Sequence, residues 1–428
     1  MRALIKLIKK TYAMAHPEER KVVMHNVASL SVLQIITYVL PIIIIPYLFR
    51  VLGAEKFGLI AFAQALVQYF MILTDYGFSI TATKEISLCQ QEHTQVCKAF
   101  SSVMTVKLAL AALSFLILCA IVYFIPKFRS DWLVYVLSFG TVVGNTIFPV
   151  WFFQGTEKMK YITILNITGG FALAILIFVF IKGPGDYLKV AFINSFVFLT
   201  TGLISQYIVF KRFRIAYKFE GYHTVRAQLK AGWDIFISIA AINAYTNTRV
   251  FILGLLTNNS ITGLYSIAEK IASACQTFPL DSFSQAIFPR LNKIFQKNKA
   301  KAFEIMQHIQ RITTIISSVT LPVIFIFADL IIGIACGCKA QESVLALRLL
   351  LISVFFVAIN AFRVQFLVVC GKTYIYSRIH VIMAMLGLPL IFLLVYSFSY
   401  MGAAAATIAL EAGIFVITYF TVRKLHFA

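Results

Sequence analysis

Long apolar runs separated by short polar breaks repeat along the whole chain. Each run has about 20 residues, the length that a helix needs to cross the hydrocarbon core of a bilayer. The pattern therefore predicts an all-α polytopic membrane protein. Twelve runs are predicted to be transmembrane helices: 26–49, 57–76, 104–125, 132–153, 161–181, 187–210, 233–256, 262–289, 309–333, 344–370, 375–396 and 400–422.

The longest hydrophilic break divides the predicted helices into two groups of six. The order is a basic segment at 1–25, an N-terminal lobe at 26–210, a linker at 211–232 and a C-terminal lobe at 233–428. The lobes share a weak repeat, because GLIAFAQAL from Gly58 resembles GLYSIAEKI from Gly263. Six spans in each half make the repeats parallel, an arrangement typical of transporters. We therefore expect two six-helix lobes around a central cavity.

Charge supports this interpretation and sets the orientation. Only 13% of the residues are charged, against roughly 25% in soluble proteins. Of the 38 Lys and Arg residues, 26 lie in or beside the segments that the predicted topology places on one side of the membrane, and eight lie in or beside the loops on the other side. Because basic residues concentrate in short cytoplasmic loops, both termini are predicted to be cytoplasmic.

Polar side chains recur inside several spans, where each needs water or a partner. In the second span, Gln64, Gln68 and Asp75 fall on one helical stripe. Spans one, seven and eight carry similar stripes, and we expect all four to line the central cavity. The neutral residues of this predicted binding site are Gln34, Gln64, Gln68, Asn243 and Asn247.

Three basic residues inside spans are candidates for contact with an anionic group of a substrate: Arg249, Lys270 and Arg363. At ~1.5 Å per residue, Arg249 and Lys270 lie about 10–12 Å below the predicted outer surface. Arg363 lies near the inner end of span ten, and snorkelling to an interface is the alternative for it and for Lys270. Lys107 is predicted to lie at the membrane interface.

Acidic residues inside spans are candidates for binding a coupling ion. Glu411 lies halfway along span twelve, close to the bilayer midplane, among small residues that suit close helix packing. A carboxyl buried there could exchange a proton or simply bond a neighbouring helix. The full set of candidates for the coupling role is Glu411, Asp75, Glu269 and Asp281.

The stretch from Leu40 to Ser87 resembles the polysaccharide transport family, the Wzx-type flippases of O-antigen and capsule repeat units. GLYSIAEKIA and IFPRL in the second half are similar to the same family. The matching residues of the first stretch are Leu40-Pro41, Pro46-Tyr47-Leu48, Arg50-Val51-Leu52-Gly53, Phe57-Gly58, Ala61-Phe62-Ala63-Gln64-Ala65, Tyr69-Phe70, Asp75-Tyr76-Gly77-Phe78 and Ala82-Thr83.

The resemblance implies a flippase of the bacterial inner membrane. Such a protein moves polyprenyl-pyrophosphate-linked oligosaccharides by alternating access for O-antigen or capsular polysaccharide biosynthesis. Amides would bind sugar hydroxyls, and the basic residues would offset the pyrophosphate charge. Because the sequence has no Walker A motif, the energy source would be either the downhill gradient of the substrate or antiport of H⁺ or Na⁺ as the coupling ion. A polymerase and a chain-length regulator would be partners alongside membrane lipids.

Enzyme motifs give no competing interpretation. The sequence has no Walker A motif, zincin motif or nucleophile elbow, so we expect no catalytic residues, no metal site, no cofactor and no nucleic-acid partner. A multidrug or cation antiporter of the same superfamily is one alternative, and it would favour an acidic cavity. An O-antigen polymerase is another, but the longest outer loop, 334–343, is short. A membrane scaffold would not need charges at mid-span.

Overall fold

The computed structural model describes the backbone of residues 17–427 and most of their side chains. In this part of the chain every regular element is helical. The residues whose side chains are not described are 17–39, 277–290, 292, 293, 296, 297, 300, 368, 373 and 424–427.

Fifteen α-helices cover the described residues, with one 3₁₀ turn at Pro184–Asp186. They are α1 Pro17–Asp75, α2 Phe78–Leu88, α3 His93–Phe124, α4 Pro126–Arg129, α5 Trp132–Ile147, α6 Val150–Gly155, α7 Lys160–Phe180, α8 Tyr187–Arg212, α9 Tyr222–Thr246, α10 Thr248–Leu256, α11 Asn259–Lys297, α12 Lys299–Ile326, α13 Ala328–Cys336, α14 Gln341–Val369 and α15 Thr373–Phe427.

The two longest helices each contain a break in their backbone. α1 has 59 residues and α15 has 55, so each is far longer than one crossing of a bilayer. Gly53 interrupts α1 with φ 73°, and Ser399 interrupts α15 with φ 54°. These breaks lie between predicted spans one and two, and between spans eleven and twelve.

Helix length and composition confirm the predicted fold class, an all-α polytopic membrane protein. Within the described residues, eight helical segments are long and apolar enough to cross a membrane, or nine if the bent pair α9–α10 counts as one span. Two of the eight are Leu40–Leu88 and Tyr374–Arg423, which contain the breaks just described. The number twelve and the division into two six-helix lobes stay predictions.

The outer surface of the bundle is apolar. Leu116, Tyr396 and Phe420 are each more than half exposed, as are many other large hydrophobic residues. Soluble monomers rarely expose contiguous apolar patches of more than a few hundred Å², whereas lipid-facing helices need no polar surface.

The glycines of the sequence repeat meet where α1 crosses α11. A Cβ atom on Gly58 would lie 1.8 Å from the carbonyl oxygen of Asn259, and one on Gly263 would lie 2.0 Å from that of Ala54. No side chain fits between the two backbones there. We call this contact the glycine crossing. It joins residues 26–210 to residues 233–428, and it lies beside the predicted outer loops.

A second close contact joins the same parts of the chain near the other end of α1. A Cβ atom on Gly232 of α9 would lie 2.8 Å from the carbonyl oxygen of Tyr76. The ring of Tyr76 stacks on Phe236 with a centroid distance of 4.7 Å. Gly77, with φ 79°, makes the turn into α2 that this contact requires.

Candidate functional site: a polar cavity between the two halves of the chain

A cavity of about 450 Å³ lies between helices of the first half of the chain, α1, α5 and α8, and helices α10 and α11 of the second half. Amide and hydroxyl side chains share its wall with aliphatic residues. The residues that line it are Ile60, Ala61, Gln64, Ala65, Val67, Gln68, Met71, Ser138, Thr141, Ala191, Asn194, Phe198, Asn247, Val250, Ser266, Glu269 and Lys270. We call this space the central cavity.

The structure brings together five of the residues that the sequence placed in one site. They are Gln64, Gln68, Asn247, Glu269 and Lys270. Gln64 and Gln68 lie one turn apart on α1, so both face the same space. The second half contributes the other three from the α9–α10 break and from α11.

Asn243 lies next to this wall through Asn247. The Asn247 side-chain amide donates to the Asn243 side-chain oxygen over 2.6 Å, and the Asn243 amide donates to the carbonyl oxygen of Ile239. Asn247 sits at the junction between α9 and α10, where the axis bends by 50°. The bend turns Asn247 toward the cavity while Asn243 stays bonded to its own helix.

Sequence reasoning missed the polar residues contributed by α5 and α8. Ser138 and Thr141 lie three residues apart on α5, and Asn194 lies on α8. The Thr141 hydroxyl donates to the carbonyl oxygen of Ser138, and the Asn194 amide donates to that of Val190. The three-residue spacing of Ser138 and Thr141 could have indicated a polar helix face. Weakly polar hydroxyls, however, occur both in cavity walls and in packed contacts between helices, so the spacing alone does not identify a cavity.

Arg249 lies behind the cavity wall, where protein groups occupy its guanidinium. Its Nη2 is 3.5 Å from Glu269 Oε1, its Nη1 donates to Thr407 over 3.0 Å, and its Nε donates to the Thr246 carbonyl oxygen over 2.9 Å. Arg249 is only 17% exposed and Glu269 15%. The ion pair and the two hydrogen bonds give the guanidinium the partners that a buried charge needs.

Lys270 is the basic residue that lines the central cavity itself. It follows Glu269 on α11 and is exposed to the cavity space. Among the described side chains it has no ion-pair partner, unlike Arg249. The central cavity therefore presents one ammonium group, with the acid beside it already paired.

Glu411 joins the charged residues behind the wall. It lies on α15, is partly buried, and interacts electrostatically with Arg249 and with Tyr245. The Tyr245 hydroxyl is 2.7 Å from His380 Nδ1, which places two more polar groups in the same region. Glu411 is not part of the cavity lining.

The remaining candidates lie elsewhere. Asp75 is 3.5 Å from Lys107, whose side chain is 2% exposed, and the ion pair allows this burial. The predicted interfacial depth of Lys107 stays a prediction. Arg363 lies over the rings of Phe415 and Tyr419, in a different cavity. The side chains of Gln34 and Asp281 lie outside the described residues.

Family membership follows from the sequence. The profile of a family described as "Polysaccharide biosynthesis protein" matches residues 23–295. The chain belongs to this family. A protein of Escherichia coli (strain K12) named "Putative O-antigen transporter" is 30% identical over 387 residues, which are 90% of this chain and 93% of that protein. A Shigella dysenteriae protein with the same name is 28% identical over 269 residues, which are 63% of this chain and 67% of that protein.

Solved structures of two transporters show the same fold. An inward-facing MATE family multidrug resistance transporter of the MOP superfamily aligns with a TM-score of 0.73 at 13% identity, covering 94% of this chain and 99% of that one. The lipid II flippase MurJ, in an inward closed conformation, aligns with a TM-score of 0.71 at 13% identity, covering 92% and 87%. The family predicted from the sequence is thus confirmed, and so is the all-α membrane fold.

Proposed function

We propose that the protein is a flippase that moves polyprenyl-pyrophosphate-linked oligosaccharide repeat units across the bacterial inner membrane. The observation that carries the proposal is the central cavity, which combines amides and hydroxyls with a single unpaired cation. Named O-antigen transporters among the relatives support the substrate class. The lipid II flippase of the same fold supports a lipid-linked glycan as cargo.

The chemistry of the cavity wall suits a sugar headgroup. Amides of Gln64, Gln68 and Asn247 both donate and accept hydrogen bonds, as sugar hydroxyls do. The ammonium of Lys270 offers a point charge for a phosphate oxygen. Aliphatic residues such as Ile60 and Val67 complete the wall and can contact the apolar faces of sugar rings.

The proposed movement is a separation and closure of the two halves of the chain. The glycine crossing closes the bundle beside the outer loops, because the two backbones leave no room for a side chain. Loading takes place from the cytoplasmic side and requires the Gly232–Tyr76 contact to open, and release requires α1 and α11 to part at the glycine crossing. The polyprenyl tail stays in the bilayer while the headgroup moves through the cavity.

Coupling to H⁺ or Na⁺ fits the charged cluster behind the wall. Glu269 contacts the cavity and Arg249, and Glu411 interacts with Arg249 from the other side. Binding of a cation by either carboxylate would weaken its attraction to Arg249. That change would reach the cavity through Glu269, which gives the cluster a route to link ion binding to substrate affinity.

A multidrug or cation antiporter is the second candidate, because the MATE transporter shares the fold. The charge of the central cavity argues against it. Glu269 is neutralised by Arg249, and Lys270 remains, so an organic cation would meet a cation in the wall. The flippase proposal also implies transport without covalent change, cytoplasmic termini, and a polymerase acting on the product at the outer face.

Lipid analysis of a strain that lacks this protein, with repeat-unit synthesis intact, tests the proposal. Mass spectrometry measures polyprenyl-pyrophosphate-linked oligosaccharide, and a sidedness assay locates it. We expect accumulation on the cytoplasmic leaflet with loss of surface polysaccharide, both reversed by the wild-type chain. Normal export with single repeats at the surface would instead indicate a polymerase, and unchanged lipids with new drug sensitivity an exporter.

A further inference from the structure

A second cavity, of about 550 Å³, lies between α12, α14 and α15 and shares no residue with the central cavity. Its wall carries Arg311 from α12, Arg363 from α14 and Arg423 from α15. We call it the arginine groove. The other lining residues are Phe303, Met306, Gln307, Gln310, Thr314, Ile315, Tyr419 and Val422.

The groove concentrates positive charge without compensation. None of its described lining residues is acidic, although three guanidinium groups converge there. Such an arrangement repels itself unless an anion is present. Gln307, Gln310 and Thr314 add neutral hydrogen-bond donors along the α12 side.

Arg363 is held in the groove by two aromatic rings, and one of its guanidinium nitrogens has no hydrogen-bond acceptor among the described residues. Its guanidinium lies 4.9 Å from the ring centroid of Phe415 and 5.2 Å from that of Tyr419. These two rings fix the orientation of the planar guanidinium group. Its Nη1 is buried and has no hydrogen-bond partner among the described residues, which is costly for a charged donor unless a ligand accepts from it.

The groove opens toward the side of the bundle that faces lipid. α12 and α15 both pack on α14, and the groove runs between them with α14 as its floor. Ile315, which lines it, is 64% exposed, and Val319 one turn further along α12 is 63% exposed. A hydrocarbon chain can lie on this apolar face while a polar headgroup occupies the basic end.

The basic end lies near the predicted cytoplasmic surface. Arg363 is six residues before the end of α14, about 9 Å of helix rise, and Arg423 is close to the end of α15. Basic pockets between transmembrane helices on this side are typical binding sites for anionic lipid headgroups. Arginine forks also bind phosphate oxygens in pairs.

We infer that the arginine groove binds the phosphate of an anionic phospholipid from the cytoplasmic leaflet, with an acyl chain along the exposed face of α12. A phospholipid suits the groove better than the transported glycolipid does, because the groove is separate from the central cavity and carries three arginines where that cavity carries one lysine. The inference does not depend on which substrate the central cavity carries.

Native mass spectrometry of the full-length protein, released from bilayers of one part phosphatidylglycerol to two parts phosphatidylcholine, tests this inference. We expect the wild-type protein to retain phosphatidylglycerol in preference to phosphatidylcholine. Arg363→Gln, Arg311→Gln and Arg423→Gln should each reduce that retention by about fivefold. Arg311 and Arg423 are exposed, so their variants give a result even if Arg363→Gln does not fold.

Arg378→Gln is the matched control, because Arg378 is an exposed arginine of α15 that does not line the groove. Its retention of phosphatidylglycerol should equal that of the wild type. The inference would be overturned if all four variants retained phosphatidylglycerol as well as the wild type, or if the wild type showed no preference for phosphatidylglycerol over phosphatidylcholine. Displacement of the lipid by millimolar inorganic phosphate would assign the groove to a soluble anion, and stronger retention of polyprenyl diphosphate would assign it to the carrier lipid; either result would overturn the phospholipid.

Discussion

The central cavity and the arginine groove both have basic side chains in their walls, but they differ in whether acidic side chains neutralise them. At the central cavity, Arg249 is ion-paired with Glu269, and only Lys270 faces the space unpaired. In the groove, three arginines line the wall without an acid among the described lining residues. One site is nearly neutral, and the other is strongly basic.

The difference follows from what each site must do. A transport site has to release its cargo on the far side, so its contacts must be numerous enough to bind but weak enough to let go. Amides and one lysine satisfy that requirement. A site that keeps a membrane lipid in place has no release step, and three arginine forks can hold a phosphate strongly.

The largest effect is expected at the glycine crossing, which closes the central cavity. Gly58→Ala would place a Cβ atom 1.8 Å from the Asn259 carbonyl oxygen, so α1 and α11 could not approach. Overpacking of this kind costs about 1–3 kcal/mol, and we expect transport to fall at least tenfold. A leaflet-resolved assay of lipid-linked oligosaccharide measures it.

Gly333→Ala is the control for this change, because a Cβ atom there meets nothing within 4 Å. It should transport at the wild-type rate. Retention of phosphatidylglycerol should be unchanged in both variants, since the groove lies on other helices. Full transport by Gly58→Ala would remove the crossing from the mechanism.

Lys270→Gln should separate the two cavities by function. Removing the ammonium that lines the central cavity is expected to slow transport about tenfold, the equivalent of one charge-assisted contact of roughly 1.4 kcal/mol. Lipid retention at the groove should not change. Lys189, an exposed lysine at the outer end of predicted span six, gives the control Lys189→Gln, and equal slowing by both variants would argue against a specific role for Lys270.

The pairing behind the wall can be tested by a double-mutant cycle. Arg249→Gln or Glu269→Gln alone leaves one charge without its partner in a largely buried place, so each should lower the unfolding temperature in detergent by several degrees. The double variant should recover more than half of that loss. Additive losses would mean that the two residues stabilise the bundle independently.

The smallest effect concerns the pH dependence of transport. The ion pair with Lys189 and the backbone N–H groups of Lys182 and Gly183 lower the pKa of the Asp186 carboxyl to about 2. Any stability from this loop is therefore present above the ordinary aspartate pKa of about 3.9 and is lost only as pH falls through about 2. Asp186→Asn should leave the pH profile of transport between pH 5 and 8 unchanged.

Glu411→Gln should alter the same profile, or the dependence of transport on Na⁺, if the charged cluster carries the coupling ion. The comparison with Asp186→Asn separates a carboxyl inside the bundle from one in a surface loop. An unchanged profile in Glu411→Gln would exclude Glu411 from coupling and leave Glu269 as the cavity-facing candidate.

Periodicity predicted much of this arrangement, because polar residues inside an apolar span have to face a common space. Gln64 and Gln68 followed from their one-turn spacing, and Lys270 from its depth. The ion pairs were harder to predict. Arg249 and Glu269 lie on α10 and α11, which a short loop joins, and the packing of these two helices decides whether the side chains meet.

The arginine groove could not be predicted in this way. Arg363 shares its predicted span only with Arg348, near the other end, and Arg311 and Arg423 look like ordinary residues near the ends of predicted spans. Their convergence depends on how α12 and α15 pack on α14, which is a tertiary property. The rings of Phe415 and Tyr419 that hold Arg363 likewise read as lipid-facing aromatic residues until the helices are placed.

Reconstitution tests the central claim most directly. Purified wild-type protein in vesicles containing a fluorescent polyprenyl-pyrophosphate-linked oligosaccharide should move the label between leaflets, as measured by its protection from a glycan-cleaving enzyme added outside. Gly58→Ala should be inactive and Lys270→Gln slow in the same vesicles. Movement no faster in wild-type vesicles than in protein-free ones, over the range of pH and Na⁺ gradients, would contradict the account.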